Sequence, residues 1–131
     1  MGRHRQLFEN VRKRPSMYLG PVVTYEVVAA FVHGYDLACE GGLLAGFREW
    51  LVVRLGEGSN LAWTALVLDF AFPGASPTDK ALRAWPEAER HAIDTLFDLL
   101  AEFDEVRSKR DGLREIFLAY EQWKQEQEEQ E

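Results

Sequence analysis

Residues that could bind a metal or act as a nucleophile are few and scattered in this 131-residue sequence. They are the three histidines and the single cysteine, His4, His33, His91 and Cys39. A metal site needs three or four ligands at workable spacing, which this set does not supply. A histidine and an aspartate lie one helical turn apart at 33 and 36 and again at 91 and 94, a spacing that favours local hydrogen bonds. We therefore predict no metal ion and no cofactor.

Nucleophilic catalysis finds little support either. Cys39 follows Leu37 and Ala38 and precedes Glu40, a setting that does not activate a thiol, so we interpret it as a buried structural cysteine. The sequence contains no G-x-S-x-G elbow, Walker loop or G-x-G-x-x-G. Because no group of residues forms a recognisable catalytic set, we predict a protein that is not an enzyme.

Charge is unevenly distributed along the chain, whose formal net charge is −7. Residues 1–14 include five basic residues and one acidic residue, a net +4. Residues 121–131 include five glutamates and one lysine, a net −4. Residues 87–105 hold seven acidic residues against Arg90 alone. Since phosphate contacts dominate nucleic-acid binding, this acidic balance disfavours a general nucleic-acid binder.

The stretch 87–105 predicts a helix with one apolar and one acidic face. Its apolar residues recur at helical spacing from Ile93 to Phe103, and acidic residues fall opposite them. An acidic helix face attracts a basic partner through its electrostatic field. We predict a partner-binding surface composed of Asp94, Asp98, Glu102, Glu105 and the nearby Trp85.

The segment from Asn10 to Gly20, NVRKRPSMYLG, is the most unusual in the chain. Its distinctive residues combine positive charge, an aromatic ring and turn-forming types: Arg12, Lys13, Arg14, Pro15, Met17, Tyr18 and Gly20. One interpretation is a surface that contacts phosphate or an acidic partner. The interpretation we favour is structural. In it the basic residues complement the dipole of their own helix end, and the loop inserts Met17, Tyr18 and Leu19 into the core.

Apolar periodicity predicts an all-α protein, a single compact bundle of five to seven helices. Thr24 is the predicted N-cap of a nearly all-apolar helix that ends near Glu40, before two glycines. Residues 76–79, SPTD, have the sequence of another helix start.

Two parts of this fold stay less defined. Over 50–70 we favour two helices, with a β-hairpin as the alternative, because short apolar runs fit both. We predict that residues 1–120 form a single helical domain. Residues 121–131 are predicted to form a polar, acidic tail that is a frayed helix. The longest apolar run, 61–72, is about half the ~20 residues of a membrane helix, and no secretory signal is evident, so we predict a cytoplasmic protein.

VRKRPSMYLG resembles the VRKRPGMYIG segment of the ATPase domain of DNA gyrase B and its type II topoisomerase relatives, where it precedes an apolar helix. In that family the helix carries a catalytic glutamate and, four residues later, a metal-binding asparagine. The aligned positions here are Ala30 and Gly34. The resemblance therefore implies a shared loop architecture and no ATPase activity.

A second resemblance covers more of the chain. The order RKRPSMYLG, FVHGYDLA, FREWLVVRLG, a Trp-centred apolar segment and IDTLFDLLAEF is similar to a family of small bacterial proteins associated with toxin, immunity or secretion-linked gene neighbourhoods. Ser16 stands where glycine is commoner in that family, which raises the question whether the loop needs a positive φ there. This resemblance implies an interaction protein without catalytic residues.

These observations predict a non-catalytic, cytoplasmic, protein-binding domain. Its predicted role is immunity- or antitoxin-like, neutralising a basic effector or toxin through the acidic helix face. The alternative is a nucleotide- or nucleic-acid-linked protein that uses the basic segment from Arg12 to Tyr18. We predict no membrane partner, and self-association through an apolar patch near Trp50 or Trp63 stays open.

Overall fold

A computed structural model describes residues 2–74 and 87–130 of this protein, and these ranges form seven α-helices and no β-strand. In chain order the helices are α1 (Gly2–Lys13), α2 (Pro15–Leu19), α3 (Tyr25–Ala38), α4 (Phe47–Leu55), α5 (Trp63–Ala71), α6 (Ala88–Arg107) and α7 (Gly112–Gln130). The predicted all-α bundle is thereby confirmed. None of these helices is both long enough and apolar enough to cross a bilayer.

Helix α6 lies at the centre of the bundle and packs against α1, α3, α4, α5 and α7. All the apolar positions predicted to line its inner face are buried: Ile93, Leu96, Phe97, Leu100 and Phe103. Phe103 meets Phe47 of α4 with ring centroids 5.1 Å apart. Each such fully buried side chain contributes about 1.5–3 kcal/mol of transfer free energy, so this stripe holds the bundle together.

The start of α3 follows the predicted capping pattern. Thr24 has an extended backbone, and its hydroxyl accepts a hydrogen bond from the Val27 amide at 3.2 Å, as an N-cap does. Glu89 of α6 accepts a second one, from the Tyr25 amide at 2.6 Å. Two of the free amides at this helix end are thus satisfied, one of them by a different helix.

Residues 50–70 form α4 and α5 rather than a hairpin. The turn between them is held by Arg48, whose side chain donates to the carbonyls of Ser59 and, at 2.9 Å, Leu61. Phe47 and Trp63, at the starts of the two helices, pack with centroids 5.9 Å apart. Helix is favoured because both runs bury their apolar residues against other helices, α4 mainly against α5 and α7 and α5 against α4 and α6, without needing a strand partner.

Helix α7 rests on α4 through a close approach at Gly46. This glycine has φ +88°, and a Cβ built there would lie 2.8 Å from Leu113 Cδ1. A larger residue would be strained at this positive φ, and its Cβ would force the Leu113 side chain to move. Beyond this contact α7 continues across the predicted domain boundary at residue 120 and stays helical to Gln130.

Candidate functional site

Helix α1 lies against α6, and charged side chains dominate the outer edge of their contact. Arg12, in the last turn of α1, has Nε 3.1 Å from Asp94 Oδ1 and Nη1 2.8 Å from Asp98 Oδ1. The two carboxylates are four residues apart on one face of α6, so a single guanidinium reaches both. One predicted motif residue thus binds two residues of the predicted acidic surface.

Arg90 adds a second cation to this cluster. Its Nη2 lies 3.1 Å from Asp94 Oδ1, and its guanidinium donates to the carbonyl of Arg12 at 3.3 Å. That carbonyl belongs to the last turn of α1, where backbone acceptors lack partners within the helix. Arg90 therefore links the carboxylate of α6 to the end of α1.

The other two predicted carboxylates are paired as well. Glu105 lies 3.2 Å from Arg5 of α1, and Glu102 pairs with Arg54 of α4. Arg5 and Arg12 lie on the same face of α1, two helical turns apart. Helix α1 therefore contacts α6 through both ends of that face. We call the group Arg5, Arg12, Arg90, Asp94, Asp98 and Glu105 the ionic interface. Trp85, the fifth predicted surface residue, lies outside the described residues.

Burial and pairing act in opposite directions on Arg12. Burial alone would lower its pKa, but hydrogen bonding to and attraction by Asp98, followed by those of Asp94, outweigh burial and raise the pKa above its ordinary value. The guanidinium is only 33% exposed and stays charged at all ordinary pH values. Arg12 is therefore a permanent part of the packing between α1 and α6.

A cavity of about 130 Å³ lies beneath the ionic interface, between α1 and α6. The residues that line it include apolar Phe8, Phe97 and Phe103 and charged Arg12 and Asp104. Phe8 and Phe97 pack with ring centroids 6.0 Å apart. The space is large enough for several water molecules, because one water needs only about 10–15 Å³ by this measure.

Asp104 is the unusual member of this lining. Its Oδ1 is buried, and no hydrogen-bond partner for it exists within the described ranges. A buried polar atom without a partner destabilises a fold by about 1–3 kcal/mol unless water reaches it. His4 also lines the cavity, and its Nδ1 lies 2.6 Å from the hydroxyl of Tyr35, which holds the imidazole in place.

The segment from Lys13 to Val22, called the 13–22 segment, differs from the predicted core-filling loop. Residues Pro15–Leu19 form the short helix α2, and the side chains of Met17 and Tyr18 are 70% and 46% exposed. The prediction that these two side chains enter the core is wrong. Val22, which the sequence did not single out, is also 70% exposed. Met17 and Tyr18 are exposed because only one face of α2 packs against the bundle, and Leu19 lies on that face.

Contacts at both ends hold the 13–22 segment in place. At the start, Val11 is buried in the core cluster and the Arg14 amide donates to the Asn10 carbonyl at 3.0 Å. Towards the other end, Leu19 and Val23 pack against the same cluster. Gly20 has φ +91° and ψ −178°, a conformation open essentially to glycine alone. Ser16 is helical and needs no positive φ, which answers the question raised by its departure from the similar family.

Two cations of this segment point away from the ionic interface. Lys13 and Arg14 are exposed, and neither has an ion-pair partner in the part of the chain that the structure describes. They are neighbours of Arg12 in sequence but face solvent next to Met17 and Tyr18. The predicted motif is therefore divided between an inward-facing arginine and an outward-facing basic and apolar surface.

The histidine–aspartate pairs do not form the predicted local hydrogen bonds. Asp36 accepts from the Leu44 amide at 2.8 Å, and the His91 Nε2 lies 2.7 Å from the Ala71 carbonyl. Both side chains thus serve tertiary contacts instead, Asp36 with the loop after α3 and His91 with the last residue of α5. Across 2–74 and 87–130 no three histidine, cysteine or acidic side chains gather as metal ligands. Cys39 is half-buried at the edge of the core.

Comparison with known proteins assigns no family to this chain. No protein-family model, curated protein or solved structure matches it. The two resemblances carried by the RKRPSMYLG segment therefore stay predictions.

Proposed function

We propose that this protein is a protein-binding domain that engages its partner through the 13–22 segment. The observation that carries this proposal is the 70% exposure of both Met17 and Val22 on a segment anchored at both ends. Clustered apolar side chains that stay in water mark interaction surfaces more often than isolated ones do. A partner that covered these side chains would remove them from water, and that transfer would stabilise the complex.

Anchoring favours binding for a second reason. Association loses free energy when flexible side chains and loops become ordered, by about 0.5–1.5 kcal/mol for each immobilised side chain. Here Val11 fixes the backbone before the exposed residues, and Leu19 and Val23 fix it after Tyr18 and after Val22. The 13–22 segment would therefore bind with a small ordering cost.

Charge indicates the kind of partner. Lys13 and Arg14 flank the apolar residues and are exposed without ion-pair partners among the described residues. The complementary surface is an apolar groove edged by aspartate or glutamate. This partner has the opposite charge to the basic effector predicted from the acidic helix face.

The acidic-face hypothesis stays a prediction with a specific physical obstacle. A basic partner would have to displace Arg12, Arg5 or Arg54 from carboxylates that they already contact. An immunity- or antitoxin-like role, as the resemblance implies, remains our proposal for the biological class. In that role the toxin would present the acidic, apolar groove to the 13–22 segment.

The proposal is tested with a partner captured from the native host and then purified. Its affinity is measured by calorimetry for the unaltered protein, for Met17→Ser/Tyr18→Ser/Val22→Ser, and for Leu37→Ser. Leu37 is 63% exposed at the end of α3 and serves as a matched apolar control. We expect the triple variant to weaken binding at least about 100-fold and the control to change it less than about twofold.

A second pair of variants decides the sign of the partner's charge. Lys13→Glu/Arg14→Glu should weaken binding to an acidic surface, whereas Glu102→Gln/Glu105→Gln should leave it unchanged. The reverse pattern would return the binding surface to the acidic face of α6. Binding of a single-stranded oligonucleotide at Tyr18, with no protein captured, would favour the nucleic-acid alternative instead.

A further inference from the structure

Helix α7 is only partly packed against the bundle. Of its nineteen residues, Gly112 and Ile116 alone are buried. Leu113 and Phe117 lie close to Gly46 of α4 yet remain 37% and 40% exposed. One flank of an apolar helix stripe is therefore open to solvent.

The open flank has the spacing of a helix-packing stripe. Leu113, Phe117, Tyr120 and Lys124 follow one another at intervals of four, three and four residues. Leu113 and Phe117 are its exposed members, and Tyr120 is partly buried against the core cluster. This spacing keeps a row of side chains on one face, as in helices that pair along their length. Lys124 lies over the Tyr120 ring, 5.5 Å from its centroid, so its aliphatic stem extends the stripe.

Charges beside this stripe change sign along the helix. Arg114, Glu121 and Glu128 are spaced by seven residues and therefore lie on one side of α7, and Arg110 precedes the helix. All four side chains are exposed, and none has an ion-pair partner elsewhere in the described ranges. The beginning of the flank is basic and the end is acidic.

We propose that α7 binds α7 of a second copy of this chain in antiparallel orientation, about a two-fold axis near residues 118 and 119. A two-fold axis across the helices brings the same flank of each copy together with its direction reversed. Arg114 then lies within about two residues of the position opposite Glu121 of the partner subunit, and Arg110 within about one residue of the position opposite Glu128 of the partner subunit. Phe117 packs beside Tyr120 of the partner subunit.

The charge pattern is what selects a second copy as the occupant. The midpoint of Arg114 and Glu121 and that of Arg110 and Glu128 each fall within about one residue of the centre of the apolar stripe that runs from Leu113 to Lys124. Antiparallel pairing makes all four contacts attractive, and parallel pairing would place like charges together. In an antiparallel pair the two helix dipoles also point in opposite directions, which is the favourable arrangement. This self-complementarity is independent of the 13–22 segment.

The test is sedimentation velocity across a concentration series. We expect the unaltered protein to approach twice the 15.0 kDa mass of one chain as its concentration rises. Arg110→Glu/Arg114→Glu and Glu121→Lys/Glu128→Lys should each weaken self-association at least about tenfold, because every charge contact becomes repulsive. Glu126→Lys/Glu129→Lys changes the charge by the same amount away from the stripe and should have less than a twofold effect.

Mixing the two charge-reversed variants gives the sharpest outcome. In the heterodimer, both sets of opposed charges become attractive again, so the mixture should dimerise although neither variant does so alone. A misfolded variant could not show this rescue. The proposal is overturned if the unaltered protein remains monomeric throughout, if both reversed variants dimerise as well as it does, or if the mixture stays monomeric.

Discussion

The ionic interface and the 13–22 segment adjoin in sequence but use their charges in opposite ways. Arg12 is half-buried between two carboxylates of α6, whereas Lys13 and Arg14 immediately after it are exposed and unpaired within the described chain. Hydrophobic residues follow the same division. Phe8 and Phe97 pack inside the interface, while Met17 faces solvent.

This difference shows why a charge run does not by itself identify a binding surface. The basic start of the chain and the acidic stretch at 87–105 look like two separate surfaces when each is considered alone. In the folded chain Arg5 and Arg12 pair with carboxylates of α6, whereas Lys13 and Arg14, at the end of α1, have no ion-pair partner among the described residues. A surface that binds a partner is better sought among charges without a partner in their own chain.

The largest expected effect on stability comes from the buried aromatic residues beside the ionic interface. Phe97→Ala should lower the free energy of unfolding by about 3–5 kcal/mol, because it removes a buried ring and enlarges the existing cavity. Met17→Ala, in the 13–22 segment, should change it by less than about 0.5 kcal/mol. Urea unfolding of both variants measures the contrast, and equal losses would show that Met17 is part of the core.

A smaller effect separates neighbouring cations. Arg12→Met should lower stability by about 1–2 kcal/mol, since it leaves Asp94 and Asp98 facing each other with less compensation. Lys13→Met removes the same charge one residue later and should be nearly neutral. Thermal unfolding at low and high salt measures both. If the two variants melted together, Arg12 would have no structural role.

The smallest predicted effect is a gain in stability. Asp104→Leu replaces a carboxylate whose Oδ1 has no described partner and fills part of the adjoining cavity, so we expect stability to rise by about 1 kcal/mol. Asp98→Leu, six residues earlier, removes an ion pair and should lower it. A loss of stability in Asp104→Leu would indicate that ordered water satisfies the carboxylate.

Local sequence patterns predicted most of the helical fold. The cap at Thr24, the buried stripe from Ile93 to Phe103 and the helices over 50–70 depend on residues close in the chain, and all three are confirmed. Asp36 instead serves the Leu44 amide, a contact that spacing alone does not reveal.

The ionic interface could not be predicted by the same means. Arg12 and Asp94 are separated by 82 positions, and only the packing of α1 on α6 brings them together. The opposite net charges of residues 1–14 and 87–105 were the available signal. Exposure of Met17 was missed for a related reason, because which side of α2 faces the bundle depends on where Leu19 and Val23 are held.

The most direct test of partner binding through the 13–22 segment is an amide chemical-shift map of the isotope-labelled protein with and without its partner. We expect the shifted resonances to cluster over residues 13–23, while those of 94–105 on α6 stay in place. Shifts concentrated on 94–105, with the 13–22 segment unchanged, would contradict the proposal and restore the acidic helix face as the binding surface.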